Sequence, residues 1–140
     1  MPKGSPQTAT LLNVRVHDCM HAGILSCASD APLAEVAAIM AKHRVHAVAV
    51  NNGNGGRPIG VVSDLDVVAA LASNDEELTA KQAAATEPVV VPSDASLQRA
   101  VQLMTEHGVS HLVVVDSSSG FPVGILSTLD VASAYAGDAD

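Results

Sequence analysis

The chain has 140 residues, 48% of them hydrophobic and 16% charged, with a formal net charge of −8 from 15 acidic residues against 7 lysines and arginines. That composition supports a globular core and excludes a disordered polymer. The acidic balance, without any basic run, argues against nucleic acid or an anionic membrane as the main partner. Phe121 and Tyr135 are the only aromatic residues, so platforms for stacking single-stranded bases are missing too.

No apolar stretch is long enough to span a bilayer, and the N-terminus has no charged-then-apolar leader pattern. The expected location is therefore the cytoplasm. There Cys19 and Cys27, the only cysteines, are expected to stay reduced. The length allows one good core, or two half-size units sharing one.

In chain order, residues 1–10 are polar, with Pro, Gly and Ser, and read as a loose tail. Val14 to Met20 reads as a short helical or turn segment, and Ser26-Cys27 as a brief strand. The Ser29-Asp30-Ala31-Pro32 stretch predicts a helix start with proline near the first helical position. Leu33, Val36, Ala37 and Met40 follow at the spacing of one buried helical face. His46 to Val50 is a strand, Asn51 to Gly56 a hairpin loop rich in residues that accept positive φ, and Pro58 to Val62 the returning strand. A helix then runs from the Ser63 junction to about Ala72. The acidic stretch Ser73 to Glu77 and a short helix over Leu78 to Ala85 make up a linker.

The same order repeats. Val89 to Val91 is a strand, Asp94 to Ser96 opens a helix with Leu97, Ala100, Val101 and Met104 on its apolar face, and Gly108 terminates it. His111 to Val115, a turn over Asp116 to Gly120, and Phe121 to Leu126 form a hairpin. Ser127 and Thr128 open a last helix that fades by Gly137. Each half is thus β-α-β-β-α. The expected division is a tail over 1–10, a first repeat over 11–73, a linker over 74–87, a second repeat over 88–136 and a tail over 137–140.

The repeat is ungapped. Gly60 to Asp66 (GVVSDLD) recurs 64 residues later as Gly124 to Asp130 (GILSTLD). At the same offset Ser29 meets Ser93, Asp30 meets Asp94, Met40 meets Met104 and His43 meets His107. Two such units imply approximate two-fold symmetry, each small sheet hiding one face against the other copy. A β-branched run ending in Ser-x-x-Asp reads as a strand entering the first turn of a helix, where the serine caps free backbone N–H groups. That junction suits a ligand as well. The N–H groups and the helix dipole favour phosphate, and a fixed carboxylate can accept two hydrogen bonds from a ribose diol.

These residues resemble a tandem CBS-domain pair, or Bateman module. The matching features are Val16-x-x-Cys19-Met20, Met40-x-x-His43-Arg44-Val45 and Gly60-x-x-Ser63-x-x-Asp66 in the first copy. In the second they are Met104-x-x-His107-Gly108-Val109 and Gly124-x-x-Ser127-x-x-Asp130. The resemblance implies an α+β fold of two β-α-β-β-α repeats packed sheet to sheet with pseudo-two-fold symmetry. It also implies a stand-alone regulatory module, not an enzyme, that senses an adenosine-containing ligand (AMP, ADP, ATP or S-adenosylmethionine) in two clefts and signals to a partner protein. No cofactor is required; a bound adenine nucleotide or S-adenosylmethionine is the expected ligand, and a homodimer the expected assembly.

Carried over, Asp66 and Asp130 hold ribose hydroxyls, while Ser63 and Ser127 cap the helices and reach towards ribose or phosphate. Ile24 and Leu25 with Val45, His46 and Ala47 wall one cleft; Val89 with Val109, Ser110 and His111 wall the other. Arg44 and Arg57 are the few cations nearby. The arginine common before the aspartate in phosphate-binding members is Leu65 and Leu129 here, and leucine cannot neutralise phosphate. Asp64 adds a repelling carboxylate to the first junction, whereas Thr128 can donate. A nucleoside or monophosphate in the second cleft is the favoured reading. A dimerisation or adaptor module that has lost the ligand is the alternative. A metal cluster of His17, Cys19 and His21 is disfavoured, since alternate positions in one short segment rarely converge on tetrahedral geometry.

Overall fold

The computed structural model describes residues 11, 13–52, 58–84 and 88–137. The expected N-terminal tail, residues 138–140 of the C-terminal one, most of the Asn51 to Gly56 loop with Arg57, and the end of the linker helix lie outside the described residues. Among the described residues seven strands are formed: β1 (His21–Ala22), β2 (Ser26–Ala28), β3 (Ala47–Asn51), β4 (Gly60–Ser63), β5 (Val90–Pro92), β6 (His111–Val115) and β7 (Pro122–Ser127). The helices are α1 (Leu33–His43), α2 (Asp64–Ala72), α3 (Ala80–Ala83), α4 (Leu97–His107) and α5 (Thr128–Tyr135), preceded by a 3-10 turn over Val16–Asp18. None of the described helices is long and apolar enough to cross a membrane.

Two compact units result, and they divide the chain differently from the sequence repeat. One holds the residues up to Gly23 together with those from Val89 onward; the other holds Ile24–Pro88. Hydrogen bonds explain the grouping. Val16 and His17 donate their N–H groups to the carbonyls of Ala95 and Ser93, both at 2.9 Å, and Gly23 donates to Val123 at 2.8 Å. The lead-in segment of the first repeat is therefore built into the unit of the second.

The Ile24–Pro88 unit has a three-stranded sheet, β2-β3-β4, with β2 parallel and β4 antiparallel to β3. Its core is Val36 and Met40 from α1, Val48, Val50 and Val62 from the strands, with Cys27, Ala31 and Ala80. The other unit repeats that plan as β5-β6-β7. It adds a fourth strand, because the two residues of β1 pair antiparallel with β7, His21 opposite Ile125 and Ala22 opposite Gly124. Val16, Leu97, Leu103, Met104, Leu112, Val114 and Leu126 form its core. On α4, Leu103 takes a buried place and Val101 is only half-buried. The helical period admits either residue on that face.

Both long helices stop in the same way. Arg44 (φ 55°) and Gly108 (φ 62°) adopt the left-handed conformation, and the following amides, Val45 and Val109, each donate at 3.1 Å to the carbonyls of Met40 and Met104. Glycine suits that conformation and arginine does not. The first copy carries the strain. At the start of α1, Pro32 is the N-cap and no side chain caps the helix, whereas Ser96 accepts from the Arg99 amide at 3.2 Å on α4.

The β6–β7 turn carries its own lock. Asp116 accepts hydrogen bonds from Ser118 Oγ at 2.6 Å, Ser119 N at 2.9 Å and Ser118 N at 3.2 Å. The Ser118 hydroxyl first, then the Ser119 backbone, lower its carboxyl from the ordinary 3.8 to about 2. These bonds favour the ionised form, so their support is complete above the ordinary value and is lost as pH falls through about 2. In an acid titration followed by NMR, the Ser118 and Ser119 amides are expected to shift with a midpoint near 2. A midpoint near 4 would mean that the turn is open in solution.

Candidate functional site

Each strand-to-helix junction is a closed capping box. In the first, the Ser63 amide donates to Asp66 Oδ2 at 2.8 Å and the Asp66 amide donates to Ser63 Oγ at 3.2 Å. In the second, Ser127 and Asp130 make the same two bonds at the same 2.8 and 3.2 Å. Serine is favoured here because its short hydroxyl reaches the third amide of the helix, and the aspartate three residues on returns the bond. Both carboxylates are thus fixed at the positive ends of α2 and α5.

The surrounding backbone is just as congruent. Asp64 N donates to the His46 carbonyl at 2.9 Å, and Thr128 N to the Ser110 carbonyl at 3.0 Å. Ala49 N donates to Leu25 and Val113 N to Val89, both at 3.0 Å. Register places Ala47 opposite Ser63 and His111 opposite Ser127. The structure therefore gathers Leu25, Val45, His46, Ala47, Ser63 and Asp66 around one end of β2-β3-β4. It gathers Val89, Val109, Ser110, His111, Ser127, Thr128 and Asp130 around the matching end of β5-β6-β7. Ile24 is half-buried in the first unit and takes no part in these hydrogen bonds.

Electrostatically the two junctions differ. In the first, His46 Nδ1 lies 2.8 Å from Asp64 Oδ2, an exposed pair beside the start of α2. The positions 64 residues on are Ser110 and Thr128, both uncharged, and Ser110 Oγ lies 2.9 Å from His111 Nδ1. The second junction thus offers hydroxyls where the first offers a histidine–carboxylate pair.

One residue of the second junction, His21, figures in the sequence only as a disfavoured metal ligand. His21 Nδ1 sits 3.2 Å from Asp130 Oδ1 and 3.3 Å from Oδ2, across 109 positions of chain. The Asp130 side chain is only 9% exposed and the His21 side chain 72%, so the imidazole stands over a carboxylate that is otherwise largely covered. The spacing of Ser127 and Asp130 gives no hint of it. The available signal was Gly124, whose missing side chain admits β1. Nearby, the Cys19 thiol is pushed up, first by burial and then by the charges of Asp18 and Asp130. Cys19 and Cys27 are both free thiols. Among the described residues no group of three His, Cys, Asp or Glu side chains is placed to hold a metal ion. His17 pairs with Asp18 at 3.1 Å.

Comparison with known proteins bears on this arrangement. The family model described as "CBS domain" matches twice, over residues 16–73 and 80–137. No curated protein sequence matches the chain, but many solved structures do. A CBS domain protein from Pyrobaculum aerophilum, solved with AMP, is 31% identical with a TM-score of 0.75, over 84% of this chain and 89% of that one. The CBS domain pair of protein MJ0100, in complex with 5-methylthioadenosine and S-adenosyl-L-methionine, is 22% identical (TM-score 0.79, 89% and 97% covered). The CBS domain of a bacterial CNNM/CorC family Mg2+ transporter, in complex with ATP, is 20% identical (TM-score 0.79, 98% and 99% covered). Two family matches on two copies of one capped β-α-β-β-α unit leave a single conclusion: the chain belongs to the CBS-domain family, as a tandem pair.

Proposed function

We propose that the protein is a regulatory module that binds an adenosine-containing ligand at its capped junctions and passes the bound state to a separate polypeptide, without catalysis of its own. The observation that carries this reading is the pair of identical capping boxes. Each presents a fixed carboxylate at the positive end of a helix dipole, an arrangement suited to a ribose diol and an adjoining phosphate. The relative from Pyrobaculum aerophilum, solved with AMP, supports the ligand class. Asp130, Ser127 and Thr128 form the principal site, with Val89, Val109, Ser110 and His111 beside them. Asp66 and Ser63, with Leu25, Val45, His46 and Ala47, form the second, less suited to phosphate because of Asp64. A homodimer in the cytoplasm is the proposed working state. Leu65, Val68 and Leu71 on α2, and Tyr135 on α5, expose apolar side chains that a second copy would cover.

Isothermal titration and thermal shift with adenosine, AMP, ADP, ATP, NAD and S-adenosylmethionine test the proposal. Heat and a raised melting temperature with adenosine or AMP are expected, with ATP weaker. Silence with all of them would favour an adaptor that kept the fold and lost the ligand, its aspartates serving only as caps.

The same site predicts a gain of function. Leu129 is exposed in the first turn of α5. Leu129→Arg would bring a guanidinium within reach of phosphate, and the preference for ATP over adenosine is expected to rise about three- to tenfold. An unchanged ratio in paired titrations would place the phosphates elsewhere.

A further inference from the structure

We propose that His21 is a ligand-discriminating latch of the second junction. Its imidazole holds the carboxylate with which Asp130 would grip a ribose, so a ligand enters only by displacing the ring. The inference rests on the adenosine reading above and adds a residue to it from the far end of the chain.

The geometry is that of a fork. Nδ1 lies 3.2 and 3.3 Å from the two Asp130 oxygens, so a single ring N–H is shared between both acceptors. Oδ2 already receives the Ser127 amide at 2.8 Å. A carboxylate has about four lone-pair sites. The forked ring N–H engages one on each oxygen and the amide a third, so the ring competes for both oxygens. A ribose diol needs both oxygens.

His21 can leave at low cost. Its side chain is 72% exposed, while its backbone stays paired with Ile125 in the β1–β7 ladder. Rotation about the side chain frees the carboxylate without disturbing the sheet. The latch is one-sided, since the residue 64 positions after His21 is Ala85. The Asp66 junction has no histidine at the corresponding place in sequence. A diol that makes two charge-assisted bonds outcompetes the ring, whereas a group that makes one does not gain over it. The device therefore selects for ribose against single hydroxyl or amine ligands that meet the carboxylate only once.

The test uses the full chain and two readouts. Adenosine and AMP are titrated into wild type, His21→Ala and His21→Asn while the amide shifts of Ser127, Thr128 and Asp130 report binding at this junction. His21→Ala is expected to bind about two- to fivefold tighter, the worth of a displaced, exposed charge-assisted pair. In His21→Asn the side-chain amide takes the place of Nδ1–H, and affinity returns towards wild type. Without ligand, ring 15N shifts should show the Nδ1–H tautomer in wild type and its loss in Asp130→Ala, which removes the acceptor, because the bond made by one ring nitrogen sets the tautomer. Unchanged or weaker binding by His21→Ala overturns the latch alone. Failure of wild type to bind any adenosine compound, with the tautomer signal intact, overturns the adenosine reading and the latch together. A tautomer unaffected by Asp130→Ala shows that the pair does not exist in solution.

Discussion

Asp130→Asn is expected to lower affinity for adenosine or AMP about ten- to a hundredfold while leaving the melting temperature nearly unchanged. The two effects separate because the aspartate does two jobs with one side chain. As a cap, it accepts the Ser127 amide at 2.8 Å, and an asparagine oxygen accepts that bond as well. As a ribose grip, it must offer two anionic acceptors, and the amide offers one neutral one. The lost charge-assisted bonds are worth roughly 1.5–3 kcal/mol. Only 9% of the carboxylate side chain is exposed, so water screens little of the difference. Asp130→Ala should cost stability in addition, about 1 kcal/mol for the broken capping box. Titration calorimetry beside thermal melts of both variants decides the matter. Affinity unchanged in Asp130→Asn, with stability lost in Asp130→Ala, would reduce the residue to a cap.

Much of this site can be read in the sequence because its parts are local. A capping box spans four residues, a hairpin a dozen, and an ungapped duplication reports every such feature twice. Ser63, Asp66, Ser127 and Asp130 are found this way, as are the helical faces of α1 and α4 and the Asp116 to Gly120 turn. What local pattern cannot supply is pairing over long separations. The strand β1 has two residues, too few for any alternation to register, and it exists only because β7 stands ready to receive it. His21 follows from β1, and for that reason it entered the sequence reading only as an improbable metal ligand. Arg44 is a different case. Aligned with Gly108, it marks a position of positive φ where the first copy accepts strain instead of a glycine. The lead-in segment looks like the beginning of the first repeat because it precedes it. Its hydrogen bonds to Ser93, Ala95 and Val123 tie it to the second.

Gly124→Ala is expected to destabilise the protein by about 1–3 kcal/mol and, through the same displacement, to unseat His21 from Asp130. A Cβ at this position would stand 2.6 Å from the His21 carbonyl oxygen and 2.7 Å from Met20 Sδ. The sulfur is on a flexible side chain and can move. The carbonyl belongs to the backbone of β1, which is held by its register with β7 and by the Gly23 amide on Val123 at 2.8 Å. Relief therefore requires β1 to shift or detach. Gly23 makes the contrast: its φ of 83° demands glycine, while nothing lies within 4 Å of its would-be Cβ. Gly23→Ala should cost about 1 kcal/mol of backbone strain. Gly124→Ala should do more, losing the Nδ1–H tautomer signal of His21 along with stability. Denaturant melts and ring 15N spectra of the two variants measure both effects. If Gly124→Ala is as stable as wild type with the tautomer retained, β1 does not lie against Gly124 in solution, and the glycine of the repeated motif owes its place to something other than the strand that carries His21.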